Sequence, residues 1–156
     1  MPFSQGALDA FLLTYEKNTT NVDPAKVVSQ FADSFLAAGP AGSIILPAAA
    51  FAQTLPARKQ TFKDAGHQSS QLIARRDTRI GDRYVLVYTQ WEMDFAPEGA
   101  HPFRLLAASS FLIDMGGADP KILAYLAHQD VFELMKQRAV PATALRSPDP
   151  ASPSAQ

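Results

Sequence analysis

The side chains best suited to chemistry in this chain are three histidines, one tryptophan and a scatter of aspartates. His128 closes an apolar run and is followed by Gln129 and Asp130. Residues two apart share one face of a strand, so a strand continuing through residue 130 sets Asp130 beside His128. An imidazole oriented by a carboxylate is a usable general acid or base; the plainer alternative is a structural histidine. His67 follows Gly66, a helix-stop residue, and reads as part of a surface turn. His101 precedes Pro102 in a proline-bearing loop, and loops at a cavity mouth can carry function. Asp33 is equally a pocket carboxylate or a solvated capping residue at the exit of a helix. No histidine pair has helical metal-ligand spacing and there is no cysteine, so neither a zinc site nor a thiol nucleophile is expected. Gly116-Gly117 and the Gly39–Gly42 stretch lack the Lys and Ser/Thr of a phosphate loop. Ser109 and Ser110 lie mid-strand, outside any sharp nucleophile turn. No cofactor is implied.

Composition narrows the partners. The 156 residues are 47% hydrophobic and 10% aromatic, enough for one sizeable core and too ordered for a disordered chain. Fourteen basic residues against fifteen acidic give a net charge of -1, so no global field holds a nucleic acid or an anionic membrane. Residues 75–83 carry four Arg against two Asp, which fits a solvated hairpin tip better than a nucleic-acid grip. The N-terminus lacks the basic start of a signal peptide and no apolar run is long enough to span a bilayer, so the expected compartment is the cytoplasm.

The positioning elements follow from periodicity. Leu8, Phe11, Leu12 and Tyr15 recur at three- and four-residue spacing, which predicts a helix capped by Ser4. Asp23-Pro24 starts a second helix, with Val27, Val28 and Phe31 as its buried stripe. Residues 43–46 suggest a small strand, and residues 47–65 a third helix that Pro56 should kink or restart. Residues 68–80 and 83–95 flank Gly81-Asp82, a two-residue hairpin signal. Residues 103–114 and 121–129 are two more strands, and 131–138 a closing helix. Alternation turns Val85, Val87, Thr89, Trp91, Met93 and Phe95 inward, with Phe103, Leu105, Ala107, Ser109, Phe111 and Ile113 opposite them. For the last strand, apolarity does not choose between the face of Leu126 and His128 and that of Tyr125 and Gln129. Helices followed by a long antiparallel meander make an α+β fold, helices on the concave face of a curved sheet. Residues 1–139 form the domain. Residues 140–156, rich in Pro, Ala and Ser and without an aromatic, form a flexible tail.

This arrangement resembles the nuclear transport factor 2-like superfamily over roughly residues 4 to 138. The carriers are LLTYEKN in the first helix, DPAKVVSQFADSF before the Gly-Pro-Ala-Gly turn, the strands YVLVYTQWEMDF and FRLLAASSFLID, and ILAYLAHQDVFELMKQR at the end. The resemblance implies a cone, a curved antiparallel sheet wrapped around N-terminal helices with an apolar cavity inside. The superfamily holds ketosteroid isomerase, cyclases of the SnoaL type, dehydratases and non-enzymatic binding domains, so fold does not fix function. Ketosteroid isomerase uses an Asp base with an oxyanion hole of a Tyr and a protonated Asp. The oxyanion Tyr falls on Tyr15, the base on Gly39 and the oxyanion Asp near Ser109. Two of three groups are therefore missing, and that chemistry is not expected here.

Three expectations result. The first is a SnoaL-like domain binding a small apolar molecule through Tyr15, Phe31, Phe51, Trp91, Ser109 and Phe111. The second is an isomerase-, cyclase- or dehydratase-type enzyme in which Tyr15 stabilises an oxyanion and His128 or Asp33 moves a proton. The third is a non-catalytic dimerisation or interaction module. An outer sheet face bearing Leu86, Tyr88, Leu106 and Leu112 is too apolar for open water, which suggests a homodimer.

Overall fold

The computed structural model describes residues 2–21 and 23–138; the tail expected over residues 140–156 lies outside them. The first helix, α1 (Gln5–Thr20), starts where Ser4 Oγ accepts the Ala7 N–H at 3.1 Å, as capping requires. Its face of Leu8, Phe11 and Leu12 is buried against the sheet. Asp23 caps α2 (Pro24–Val28) through the Ala25 N–H at 3.0 Å.

The first difference from expectation follows directly. α2 ends after five residues, and Phe31 belongs to a strand, β1 (Phe31–Gly39). Phe31 and Phe35 are both buried, and a four-residue spacing suits a strand's two-residue repeat as well as a helical turn. What decides is pairing: β1 lies between β2 (Gly42–Pro47) and β6 (Lys121–Ala127). Asp33 consequently stands on an exposed stretch of strand, not at a helix exit.

α3 (Ala48–Asp64) runs through Pro56, which leaves the Ala52 carbonyl without its helical donor. It stops at Gly66, whose φ of 81° L-residues rarely adopt. The long strands are β3 (His67–Ile80), β4 (Tyr84–Phe95) and β5 (Phe103–Asp114), and α4 (Val131–Arg138) closes the chain. The β3–β4 connection is three residues, Gly81 to Arg83, not two. Arg83 leaves the ladder for an ion pair with Asp114, Nε–Oδ1 2.8 Å.

The six strands form one sheet in the order β2-β1-β6-β5-β4-β3. The α+β reading holds, with helices on the concave side. The sheet is antiparallel except for β1 and β6, which run parallel because the chain returns from β5 to lie beside its first strand. The expected inward face holds too: Val85, Val87, Thr89, Trp91 and Phe95 of β4 and Leu105, Ala107, Ser109, Phe111 and Ile113 of β5 are buried. Val85, Val87, Phe111 and Ile113 join a core under α1, Phe95 and Leu105 join a second with Met135 under α3 and α4, and Thr89, Trp91, Ala107 and Ser109 belong to neither. Between these cores the concave face is not filled.

Candidate functional site

The unfilled space is a cavity of about 580 Å³. Tyr15, Asn18, Thr19 and Thr20 from the end of α1 line one side. Phe31 and Phe35 of β1 and Phe51, Leu55 and Phe62 of α3 add an apolar wall. Trp91, Met93, Ala107 and Ser109 of the central strands form the floor, with Tyr125 and Ala127 of β6 beside them. Thr20, Ile44, Lys59 and Lys63 are lining residues that are also exposed, so they mark the mouth.

The rings hold one another in place. Tyr15 meets Phe111 edge-on at 4.9 Å and tilts against Trp91 at 5.9 Å. Phe31 lies 4.5 Å from Phe35 and 5.2 Å from Phe51. Edge and tilted contacts of this kind add to the area the rings bury.

Under the rings runs a short polar chain. Trp91 Nε1 donates to Thr89 Oγ1 at 2.8 Å, and the Thr89 hydroxyl donates to the Ser109 carbonyl at 2.7 Å. With its proton committed there, Thr89 Oγ1 accepts from the Ser109 hydroxyl at 2.9 Å. Burial raises the Tyr125 pKa, and the Arg58 charge and the Ser109 side chain pull against it. Burial raises the Tyr15 pKa strongly, and the neighbouring Tyr125 adds to it. Both phenols are therefore neutral donors at physiological pH, not bases. Among the described residues the Tyr15 hydroxyl has no hydrogen-bond partner.

Five of the six expected ligand contacts, Tyr15, Phe31, Phe51, Trp91 and Ser109, line the cavity. Phe111 does not. It is fully buried behind Tyr15 and Tyr125 and acts as their support. The proposed proton carriers also lie elsewhere. His128 is on the outer face, its Nε2 2.8 Å from Ser110 Oγ and its ring edge-on to Tyr88. β6 ends at Ala127, so the strand that was to align His128 with Asp130 stops short. Asp33 is exposed and takes no part in the lining. The expected pairing of Tyr15 with His128 or Asp33 is thus corrected: the sheet separates His128 from the cavity, and the β1 conformation leaves Asp33 outside it.

His67 takes the opposite course. Expected in a surface turn, it is half-buried, lines the cavity and contacts Ser70 Oγ through Nε2 at 2.7 Å. Desolvation lowers its pKa below 6.5, with the Ser69 backbone partly offsetting, so the ring is neutral near pH 7. Two bulges produce this placement. Arg75, Asp77 and Arg79 sit opposite inward-facing residues of β4, but a register shift between Leu72 and Ala74 turns Leu72 and Ser70 inward instead. A second shift between His67 and Ser69 puts His67 opposite the buried Phe95. The Arg-rich run is used internally: Arg75 pairs with Asp9 and Asp77, and Arg79 lies over the Phe3 ring at 3.9 Å. Among the described residues no three His, Asp or Glu cluster as metal ligands, and no helix is long and apolar enough to cross a membrane.

No protein-family model matches the sequence, and no curated protein matches it. Solved structures do. The β subunit of benzoate 1,2-dioxygenase from Burkholderia mallei superposes with a TM-score of 0.68 at 13% identity, covering 86% of this chain and 95% of its own. A nuclear transport factor 2-like protein with a cystatin-like fold from Novosphingobium aromaticivorans gives 0.66 at 10% identity, covering 84% and 87%. A nuclear transport factor 2-like protein of unknown function from Shewanella oneidensis gives 0.60 at 10% identity, covering 80% and 98%. At such identities the likeness is one of backbone architecture, and by it this chain has the nuclear transport factor 2-like, cystatin-like fold.

Proposed function

We propose that the chain binds a small, largely apolar organic molecule inside the cone. The supporting observation is the cavity itself. Its 580 Å³ is within the size range of small-molecule sites. It is walled by Tyr15, Phe31, Phe51 and Trp91, while Tyr15 offers a neutral hydroxyl donor with no protein partner among the described residues. Apolar walls supply affinity, and one or two convergent polar groups set orientation.

Trp91 is the only tryptophan and lies in the lining, so its emission reports occupancy. Titration with N-phenyl-1-naphthylamine, a neutral dye that brightens in apolar surroundings, is expected to give saturable one-to-one binding with Trp91 emission quenched. Ala37→Trp places an indole in the lining and should abolish binding while leaving the thermal unfolding midpoint within a few degrees of wild type. Dye binding that survives this substitution would place the dye outside the cavity and remove the reading.

The outer sheet face favours a second property, pairing with another copy of this chain. Leu106 is 63% exposed and Leu86 40% exposed there, alongside Leu126 and Ile73. Scattered apolar residues are ordinary on a surface, whereas a contiguous group on one sheet face suits an interface.

A further inference from the structure

The cavity lining contains no carboxylate and three permanent cations, Arg58, Lys59 and Lys63, all on α3. Arg58 is the one drawn into the structure. Its guanidinium carbon lies 4.9 Å from the Phe132 ring centre and 5.3 Å from that of Phe62. Arg75, Arg83 and Arg104 pair with acids, and Arg76, Arg79 and Arg138 lie over rings away from the cavity; Arg58 is the arginine that both lies against rings and lines the cavity. Arg58 has no carboxylate within ion-pair distance among the described residues. The nearest acids in sequence to the mouth are engaged. Glu16 accepts the Leu72 N–H at 2.8 Å, and Asp64 accepts the Gln60 amide at 2.7 Å. The charge of Arg58 is felt inside the cavity, where it draws the pKa values of Tyr15 and Tyr125 down against burial.

A half-buried guanidinium packed against rings is weakly hydrated and held still, so its planar fork is ready for a planar, two-oxygen acceptor. A charge beside an apolar cavity is also less screened than one in open water. Resting on the ligand-binding reading above, we infer that the cavity takes an aromatic carboxylic acid as its anion. The apolar body lies among Phe31, Phe51 and Trp91, and the carboxylate is held by Arg58. Lys59 and Lys63 at the mouth attract the anion from solution.

The test is a matched pair of probes, 2-naphthoate and 2-naphthamide, equal in ring and nearly equal in shape but differing in charge. Calorimetric titration of wild type is expected to show the acid binding about ten-fold or more tighter than the amide, the margin of a charge-assisted hydrogen bond. Arg58→Gln should remove that preference and leave the amide affinity within about two-fold, because only the charged contact is lost. The double variant Lys59→Gln/Lys63→Gln alters exposed positions, does not disturb the ring stack, and should lower acid affinity about two- to three-fold with a weaker salt dependence. Equal binding of acid and amide to wild type overturns the carboxylate assignment while the cavity reading stands, and this comparison needs no variant to fold. An acid preference intact in Arg58→Gln also overturns it. Binding of neither probe removes both readings.

Discussion

Thr89 serves three polar groups with one hydroxyl. It takes the Trp91 indole N–H and the Ser109 hydroxyl and gives its own proton to the Ser109 carbonyl, all three residues buried and Thr89 completely so. Thr89→Val keeps the shape and removes every one of these bonds. A buried donor left unsatisfied costs about 1–3 kcal/mol, so urea unfolding should show a loss of that order. The released indole N–H would then be free toward the cavity, and dye affinity should change together with stability. His67 gives a second residue-scale expectation, with its sign set by burial. Its folded pKa lies below 6.5, so the unfolded chain binds the proton more readily. Its effect on stability is absent well above pH 6.5, becomes a penalty that grows as pH falls below 6.5, and is complete once pH has fallen below the lowered folded value. Measured by denaturant unfolding, wild type should lose stability relative to His67→Gln as pH falls from 7 to 5, and parallel curves would count against a desolvated ring. Tyr15 and Trp91 were legible as cavity residues because helix and strand periodicity alone aim them inward. Arg58 was not, since nothing in its sequence neighbourhood says that two rings will hold it or that no acid will face it.

At the scale of elements, the departures from expectation come from pairing and from bulges. Phe31 and Phe35 satisfy both a helical and a strand repeat, and only the neighbouring β2 and β6 make the segment a strand. In β3 two register shifts reverse the inward set twice, so uniform alternation cannot find His67 or Ser70. Capping, by contrast, is local chemistry, and Ser4 and Asp23 cap α1 and α2 as their types predict. Gly66 joins the two kinds of information. It ends α3, and it also presses on the start of the β4–β5 loop: a Cβ there would lie 2.5 Å from the Ala96 carbonyl, which no rotamer change relieves. Gly81 has a similar φ of 64° but open space around its Cβ position. Gly81→Ala should therefore cost about 1 kcal/mol, the conformational part alone. Gly66→Ala should cost clearly more, at least about 2 kcal/mol, because steric displacement is added. Equal losses in the two variants would mean that the Gly66–Ala96 approach is not a constraint on the fold.

For the whole molecule, the two faces of one sheet have different tasks. The concave face is divided between two cores and the cavity, and the helices cover it. No element covers the outer face among the described residues. Its centre is Tyr88, with Arg76 over its ring at 5.3 Å, the His128 ring at 5.5 Å and the Gln90 amide donating to its hydroxyl at 3.2 Å. Leu86, Leu106 and Leu126 are exposed on the same face from three adjacent strands. Tyrosine and arginine ringed by aliphatic side chains is the composition of protein interfaces more than of bare surface. The high apolar content of the chain thus has two destinations besides the core, the cavity lining and this face. If a second copy covers the face, light scattering after size exclusion at micromolar concentration should give twice the 16.9 kDa chain mass. Leu106→Glu then puts a charge on the most exposed of these leucines, where it costs the isolated fold little. Buried in a pair it would go unpaired, so the variant should run as a monomer with an unchanged far-ultraviolet spectrum. It should also still bind the neutral dye, because Leu106 lies on the side of the sheet away from the cavity. Wild type measured as a strict monomer would end the dimer reading without touching the cavity.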